Sequence, residues 1–198
     1  MNDTTRLILD FKENVTAAVD VVVHWATHAY RANDAEFRNR GCRYVVSAPR
    51  STAEIPNKGA ERLAAALAAE FPYLQHLPNA LVRTESVPAS HRGDRPDTER
   101  HVETMVYRGP TLPTPDPYRF VCSECSKEFR GRPGLSWHYE HIHAMSAATE
   151  SATARYSSFL LIDDIITNGR TSAAARTVLH ASTSVPNTVG FFVGRTKR

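Results

Sequence analysis

The stretch Phe159 to Thr171, reading FLLIDDIITNGRT, constrains this chain more than any other. Four apolar residues, Phe159, Leu160, Leu161 and Ile162, run without a break into two carboxylates, Asp163 and Asp164. An unbroken apolar run bounded by turn signals suits a strand covered on both faces, the position of a central strand in a parallel sheet. After Ile165 and Ile166 comes a short polar turn built on Gly169, then the helix-forming run Ser172 to Leu179. Thr167, Asn168, Gly169, Arg170 and Thr171 present hydroxyls, a carboxamide, a guanidinium and unencumbered backbone N–H groups just ahead of that helix. First-turn N–H groups lack intrahelical partners and the helix dipole favours an anion beside them, so the turn is a candidate phosphate cradle.

Two carboxylates directly upstream would repel a phosphate placed beside them. A ribose reconciles the two, because its vicinal hydroxyls can donate to carboxylates while its 5-phosphate reaches the turn further along. With its apolar strand, two acids, two aliphatics and Thr-x-Gly-x-Thr, the stretch resembles the 5-phosphoribosyl-1-diphosphate (PRPP) signature of type I phosphoribosyltransferases. The resemblance implies that Asp163 and Asp164 hold the ribose hydroxyls at the catalytic centre, and that Thr167, Asn168, Gly169, Arg170 and Thr171 hold the 5-phosphate. It also implies Mg2+ accompanying PRPP, and displacement of pyrophosphate at C1 by a nitrogen nucleophile. No residue identifies the acceptor.

Arg43 to Ala48 (RYVVSA) reads as a second buried strand, closed by Pro49, Arg50, Ser51 and Thr52. One cation and two hydroxyls suit pyrophosphate, and in the resemblance the pyrophosphate loop follows this strand. A surface turn with an incidental arginine is the alternative. Downstream, NKGAERLAAALAAEF is similar to the segment and helix of the ComF-like, competence-associated branch, with Lys58-Gly59 where that branch has Arg-Gly.

The other segments are read more coarsely. Arg6 to Phe11 is expected as a strand or an extended lead-in. Val15 to Tyr30 predicts a helix with Ala17, Val21, Trp25 and Ala29 on one face. His24 and His28 would project from one side of it, without an acid or cysteine to complete a ligand set. Glu61 to Phe71 predicts a second helix, and Leu81 to Arg83 a short strand. Ser86 to Arg100, with its prolines, glycine, arginines and acids, predicts a long loop. Type I enzymes close such a loop over the active site; a plain linker is the alternative. His101 to Tyr107 alternates as a returning strand would, Thr188 to Val193 predicts a last strand, and Gly194 to Arg198 a basic tail.

Gly109 to Tyr118 (GPTLPTPDPY) marks a boundary, and an independent signal follows it. Phe120-x-Cys122-x2-Cys125-x3-Phe129-x5-Leu135-x2-His138-x4-His143 resembles the C2H2 zinc finger at four ligands and three apolar positions. Two thiolates on a hairpin and two imidazoles on one helix face, Cys122, Cys125, His138 and His143, give a tetrahedral set for a structural Zn2+. The positions that read bases in the family fall on Gly131, Gly134 and Trp137, which offer no bidentate pairs, so sequence-specific readout is not expected. Lys127, Arg130 and Arg132 suit non-specific phosphate contacts, and Trp137 and Tyr139 suit stacking on bases or packing on the host domain.

The 198 residues, 41% hydrophobic and 23% charged, fit one ordinary domain with an insertion, or two small ones. The expected class is α/β: a parallel-sheet phosphoribosyltransferase-like domain over residues 1–115 and 147–198, with a small ββα zinc-finger insertion over 116–146. A net charge of +3 argues for nucleic acid only through local clusters. No apolar run approaches a membrane span, the N-terminus lacks a signal-peptide pattern, and two of the three cysteines stand at metal spacing, so a reducing cytoplasm is expected. The implied partners are PRPP, an unidentified acceptor and non-specific nucleic acid at the finger, with a homodimer left open. The rival reading is a non-catalytic PRPP or nucleotide sensor, or an accessory to nucleic-acid processing that uses the finger for partners.

Overall fold

A computed structural model describes residues 3–88, 97–113, 119–122, 127–130, 137–138, 141–142, 157–166 and 169–195. The elements in chain order are α1 (Asp3–Lys12), α2 (Thr16–Ala32), α3 (Asp34–Asn39), β1 (Cys42–Ser47), α4 (Lys58–Glu70), β2 (Gln75–His76), β3 (Leu81–Arg83), α5 (Thr98–Glu103), β4 (Met105–Tyr107), β5 (Arg119–Val121), β6 (Glu128–Arg130), β7 (Ser158–Ile166), α6 (Arg170–Ser182) and β8 (Asn187–Arg195). Strands β2, β1, β7 and β8 form a four-stranded sheet in that order, and all its pairings are parallel. Two antiparallel pairs, β3 with β4 and β5 with β6, stand apart from it.

The unbroken apolar run works as a two-sided strand. Leu160 and Ile162 enter one core with Val45 of β1 and with residues of α1, α2 and α4, among them Phe11, Val19, Tyr30, Leu63 and Leu67. Phe159 and Leu161 enter a second core with Tyr44 and Val46, residues of α6 such as Ala175 and Leu179, and Leu81 and Met105 of the β3–β4 pair. Period-two alternation along a strand sends neighbours to opposite faces, so helices cover both sides of the sheet. The α/β class is therefore the observed one.

Three sequence expectations are corrected. Arg6 to Phe11 belongs to a helix, not a strand: Leu7 and Phe11, four apart, both pack into the first core, and a short apolar run satisfies either period. Asp3 in its first turn and Lys12 in its last complement the helix dipole. On α2 the buried residues are Ala18, Val19, Val22, Ala26 and Tyr30, while Val21 and Trp25 face outward, Trp25 at 60% exposure. The helix carries two apolar stripes of the same spacing; Tyr30 selects one of them by stacking on Phe37 at 4.2 Å and meeting the Tyr73 hydroxyl at 2.9 Å. His24 and His28 are exposed with the unselected stripe. Finally, Thr98–Glu103 is a helix where a loop end and a strand start are expected. Asp97 caps it, its side chain accepting from the Arg100 amide at 2.8 Å, and the returning strand shortens to Met105–Tyr107.

Other expectations hold. Arg43 to Ala48, Glu61 to Phe71, Leu81 to Arg83 and Thr188 to Val193 coincide with β1, α4, β3 and β8 within a few residues. Gly59 at the start of α4 has a packing reason. A Cβ there would lie 2.3 Å from the Phe11 carbonyl oxygen, so only glycine lets α4 approach the end of α1 this closely. Residues 89–96 of the expected loop, half of the proline-rich boundary (114–118), residues 147–156 and the last three residues lie outside the described residues.

Candidate functional site

The connections from β1 and β7 leave the sheet in opposite directions. β1 leads through α4 to β2 on one flank, and β7 leads through α6 to β8 on the other, although β1 and β7 are neighbours. The crevice outside the carboxyl ends of two such strands is where open α/β sheets bind ligands. The 49–52 loop leaves from this point after β1, and Gly169 to Thr171, which open α6, follow β7 in the chain. The Ala48 amide donates to the Ile162 carbonyl at 2.8 Å, which sets the first loop level with the acid pair.

Asp163 and Asp164 are 8% and 9% exposed. The alternation that divides the apolar run continues through them. Asp163 follows Phe159 and Leu161 toward α6, where the Ser172 hydroxyl donates to its Oδ2 at 3.4 Å. Asp164 follows Leu160 and Ile162 toward α1, where Lys12 Nζ stands 3.1 Å from its Oδ2. The Asp164 amide donates to Asp163 Oδ1 at 2.9 Å. Burial, and then the neighbouring Asp164 carboxylate, push the Asp163 carboxyl well above the usual range, so it holds a proton more readily than a surface acid.

In the turn before α6, Gly169 sits in the left-handed region at φ 75° as the helix N-cap, and its carbonyl accepts from the Ala173 amide at 2.8 Å. A side chain would strain that conformation. The amides of Arg170, Thr171 and Ser172 therefore open the helix, the arrangement that receives anions. Arg170 and Thr171 are half-buried; Thr167 and Asn168 lie outside the described residues. Helix α5 packs against α6, and burial, then the charges of Arg83 and Arg170, hold the His101 imidazole below its ordinary pKa.

Arg50 pairs through Nη2 with Glu13 Oε1 at 2.7 Å. Its carbonyl accepts from Arg83 Nε at 2.9 Å, and the Ser51 carbonyl accepts from the Val87 amide at 2.8 Å. Ser51 is half-buried and Thr52 is exposed, both beside Arg50. Sequence reasoning passes over Arg83, although it is only 2% exposed and no carboxylate partner is found for it among the described residues. Its guanidinium donates to Thr104 Oγ1 at 2.5 Å and meets His101 Nδ1 at 3.1 Å, so it ties the 49–52 loop to α5. Burial lowers its pKa to about 10. The strand period gives a signal, because Leu81 and Arg83 share the inward face of β3.

A second polar cluster lies at the adjoining strand ends. Glu61 accepts from the Ser47 hydroxyl and from the Asn79 amide at 3.1 Å, and meets His76 Nε2 at 2.8 Å. Burial works to raise its carboxyl, yet the donors His76, Ser47 and Asn79 hold it below the usual range. The carboxylate is the middle member, so the serine and histidine do not touch as a nucleophile and base must; the cluster ties α4 to β1 and β2.

In the 119–142 region, β5 and β6 form a hairpin with Phe120 opposite Phe129. The Cys122 amide donates to the Lys127 carbonyl at 2.8 Å, closing the turn. Cys122 and His138 are both buried, and the His138 ring lies 4.8 Å from that of Phe129. Residues 137–138 and 141–142 are helical. Trp137 is exposed and stacks on His141 at 4.5 Å. Cys125 and His143 lie outside the described residues, as do Gly131, Arg132, Gly134, Leu135 and Tyr139. Among the described residues no group of three or more His, Cys, Asp or Glu is placed to hold a metal.

The fold and site thus define an α/β protein with a parallel sheet and a buried acid pair at its switch point. No protein-family model matches the chain. Over 38 residues, 19% of this chain, it is 42% identical to the zinc finger protein neuro-d4 of Mus musculus, and the match spans 10% of that protein. Among the described residues no helix is long and apolar enough to cross a membrane.

Proposed function

We propose that this chain binds PRPP in the manner of a type I phosphoribosyltransferase and transfers its ribose 5-phosphate to a nitrogen acceptor. The observation that carries the reading is the meeting, at one switch point, of a buried acid pair, a glycine-capped helix start and an arginine-bearing loop. The acids would take the ribose hydroxyls, the 167–171 turn the 5-phosphate, and the 49–52 loop the pyrophosphate. The C1–O bond to pyrophosphate would break with its electron pair leaving on the pyrophosphate. A C1–N bond would form, and the acceptor nitrogen would release its proton. Anionic carboxylates beside the ring would favour the positive charge that develops at C1. The donors are hard oxygens suited to Mg2+, which when bound with PRPP neutralises diphosphate charge.

The test is pyrophosphate release from Mg2+-PRPP with a panel of nitrogen bases, alongside calorimetry of PRPP binding. Wild type should bind PRPP, and Asp163→Asn with Asp164→Asn should weaken binding by at least about tenfold while the fold survives. Unchanged affinity in the folded double variant would remove the acids from the ribose. Binding without turnover on any base would favour the sensor reading.

For residues 116–146 we propose a C2H2-type zinc site built from Cys122, Cys125, His138 and His143. The buried Cys122 thiol at the β5–β6 hairpin, the buried His138 imidazole on the helical residues that follow and the short likeness to a zinc finger protein support it. Zinc would supply the cross-link that so small an apolar core lacks. Exposed Trp137 suits stacking on single-stranded bases and exposed Lys127 suits phosphate contacts, without sequence preference.

A further inference from the structure

We propose that the corner between α1 and α2 forms a third wall of the candidate site, with Lys12 a diphosphate-contacting residue and Glu13 the diphosphate's competitor for Arg50. The inference rests on the PRPP reading above and assigns residues which that reading does not include.

Two consecutive residues of this corner reach the two halves of the site. Lys12 Nζ stands 3.1 Å from Asp164 Oδ2, and Glu13 Oε1 stands 2.7 Å from Arg50 Nη2. In bound PRPP, C1 and the first phosphate of the diphosphate would lie between the ribose acids and the 49–52 loop. Lys12 and Glu13 span the same interval. Their charges are ordered as an inverse of the ligand's demands, a cation on the acid and an anion on the base, so the corner neutralises the charges that would meet the ligand.

Ligand binding reverses both pairings. Ribose hydroxyls donate, so they occupy the carboxylate oxygens of Asp164 and free the Lys12 ammonium for the nearest anion, the diphosphate. A diphosphate oxygen on Arg50 replaces the Glu13 carboxylate there. The Lys12–Asp164 pair is largely shielded on the acid side, whereas Glu13 is mostly exposed and leaves at small cost. The corner also has a feature that packing does not account for. Asn14 turns the chain at φ 60°, a conformation asparagine tolerates, and its buried Oδ1 finds no donor among the described residues.

Calorimetric titration of the full chain with Mg2+-PRPP and with ribose 5-phosphate, for wild type, Lys12→Met and Glu13→Gln, decides the matter. Lys12→Met should lose about tenfold in PRPP affinity. Glu13→Gln should gain about threefold, since it removes a competitor held only by an exposed pair. Ribose 5-phosphate, which lacks the diphosphate, should bind Glu13→Gln as it binds wild type and Lys12→Met equally or more tightly. Opposite shifts from adjacent residues, confined to the diphosphate ligand, are not produced by a merely structural corner. Unchanged or tighter PRPP binding by Lys12→Met would overturn the inference, as would unchanged or weaker binding by Glu13→Gln, while leaving the PRPP reading standing. A wild type that binds no PRPP would overturn both.

Discussion

A carboxyl group carried into a sheet interior needs either a donor set or a proton; among the described residues Asp163 accepts from the Asp164 amide and, at 3.4 Å, from the Ser172 hydroxyl. Its raised pKa makes a stability prediction. The folded state binds the Asp163 proton more tightly than the unfolded chain does, so the favourable contribution is complete below the unfolded carboxyl range. It is lost as pH rises through the elevated folded value. Asp163→Asn cannot ionise and should escape this loss. Urea unfolding should show the variant more stable than wild type by about 1–3 kcal/mol at pH 8, with the gap closing toward pH 4. A gap independent of pH would mean that Asp163 ionises in the fold as easily as on a surface. A gain in stability paired with a loss of PRPP affinity is the pattern expected of a group placed for binding.

How much of the site can be read from residues alone follows from the same acids. The pair, the turn and the glycine are legible because they are consecutive. That the two acids face different elements is also implicit in the strand period. The partners are not legible: Lys12, Glu13 and Arg83 come from remote segments, and only the packing of α1 and β3 brings them to the switch point.

At the scale of elements, α1 turns on a single close approach. Gly59→Ala would set a methyl group 2.3 Å from the Phe11 carbonyl oxygen, and backbone cannot rotate away as a side chain can. Overpacking of this kind costs about 1–3 kcal/mol, and because α1 carries Lys12 the change should also shift the corner. Thermal unfolding and amide exchange in α1 would show it; unaltered stability would mean that α1 docks more loosely. The elements that sequence misreads are those where two periods or two stripes compete. The run at Arg6 to Phe11 admits either helix or strand, and α2 offers two apolar stripes from which Tyr30 and its aromatic neighbours choose. At α5 the alternation of HVETMVY suggests a strand, whereas the Asp97 cap favours a helix.

Across the whole molecule, the sheet and the cysteine-histidine segment should respond separately to metal. Prepared without chelator, the protein should contain one zinc per chain. Cys122→Ser should release it and unfold the 119–142 segment, leaving the far-ultraviolet signature of the sheet and its helices largely intact. Absence of zinc, or collapse of the entire fold on its removal, would contradict the separate zinc-stabilised insertion.

Strand β1 pairs from end to end with the Ser158–Ile162 half of β7, yet everything from 48 to 157 lies between them in the chain. On the ribosome, β1 must therefore wait for most of the chain to emerge before its main partner exists, and its apolar residues stay open to wrong contacts in the meantime. Closure entropy grows only logarithmically with the intervening length. Replacing residues 116–146 by a short glycine-serine linker should thus speed refolding of the sheet only slightly, by less than about threefold in stopped-flow fluorescence. A much larger acceleration would show that the insertion itself obstructs assembly, and a marked slowing that its early, metal-assisted folding helps bring the two strands together.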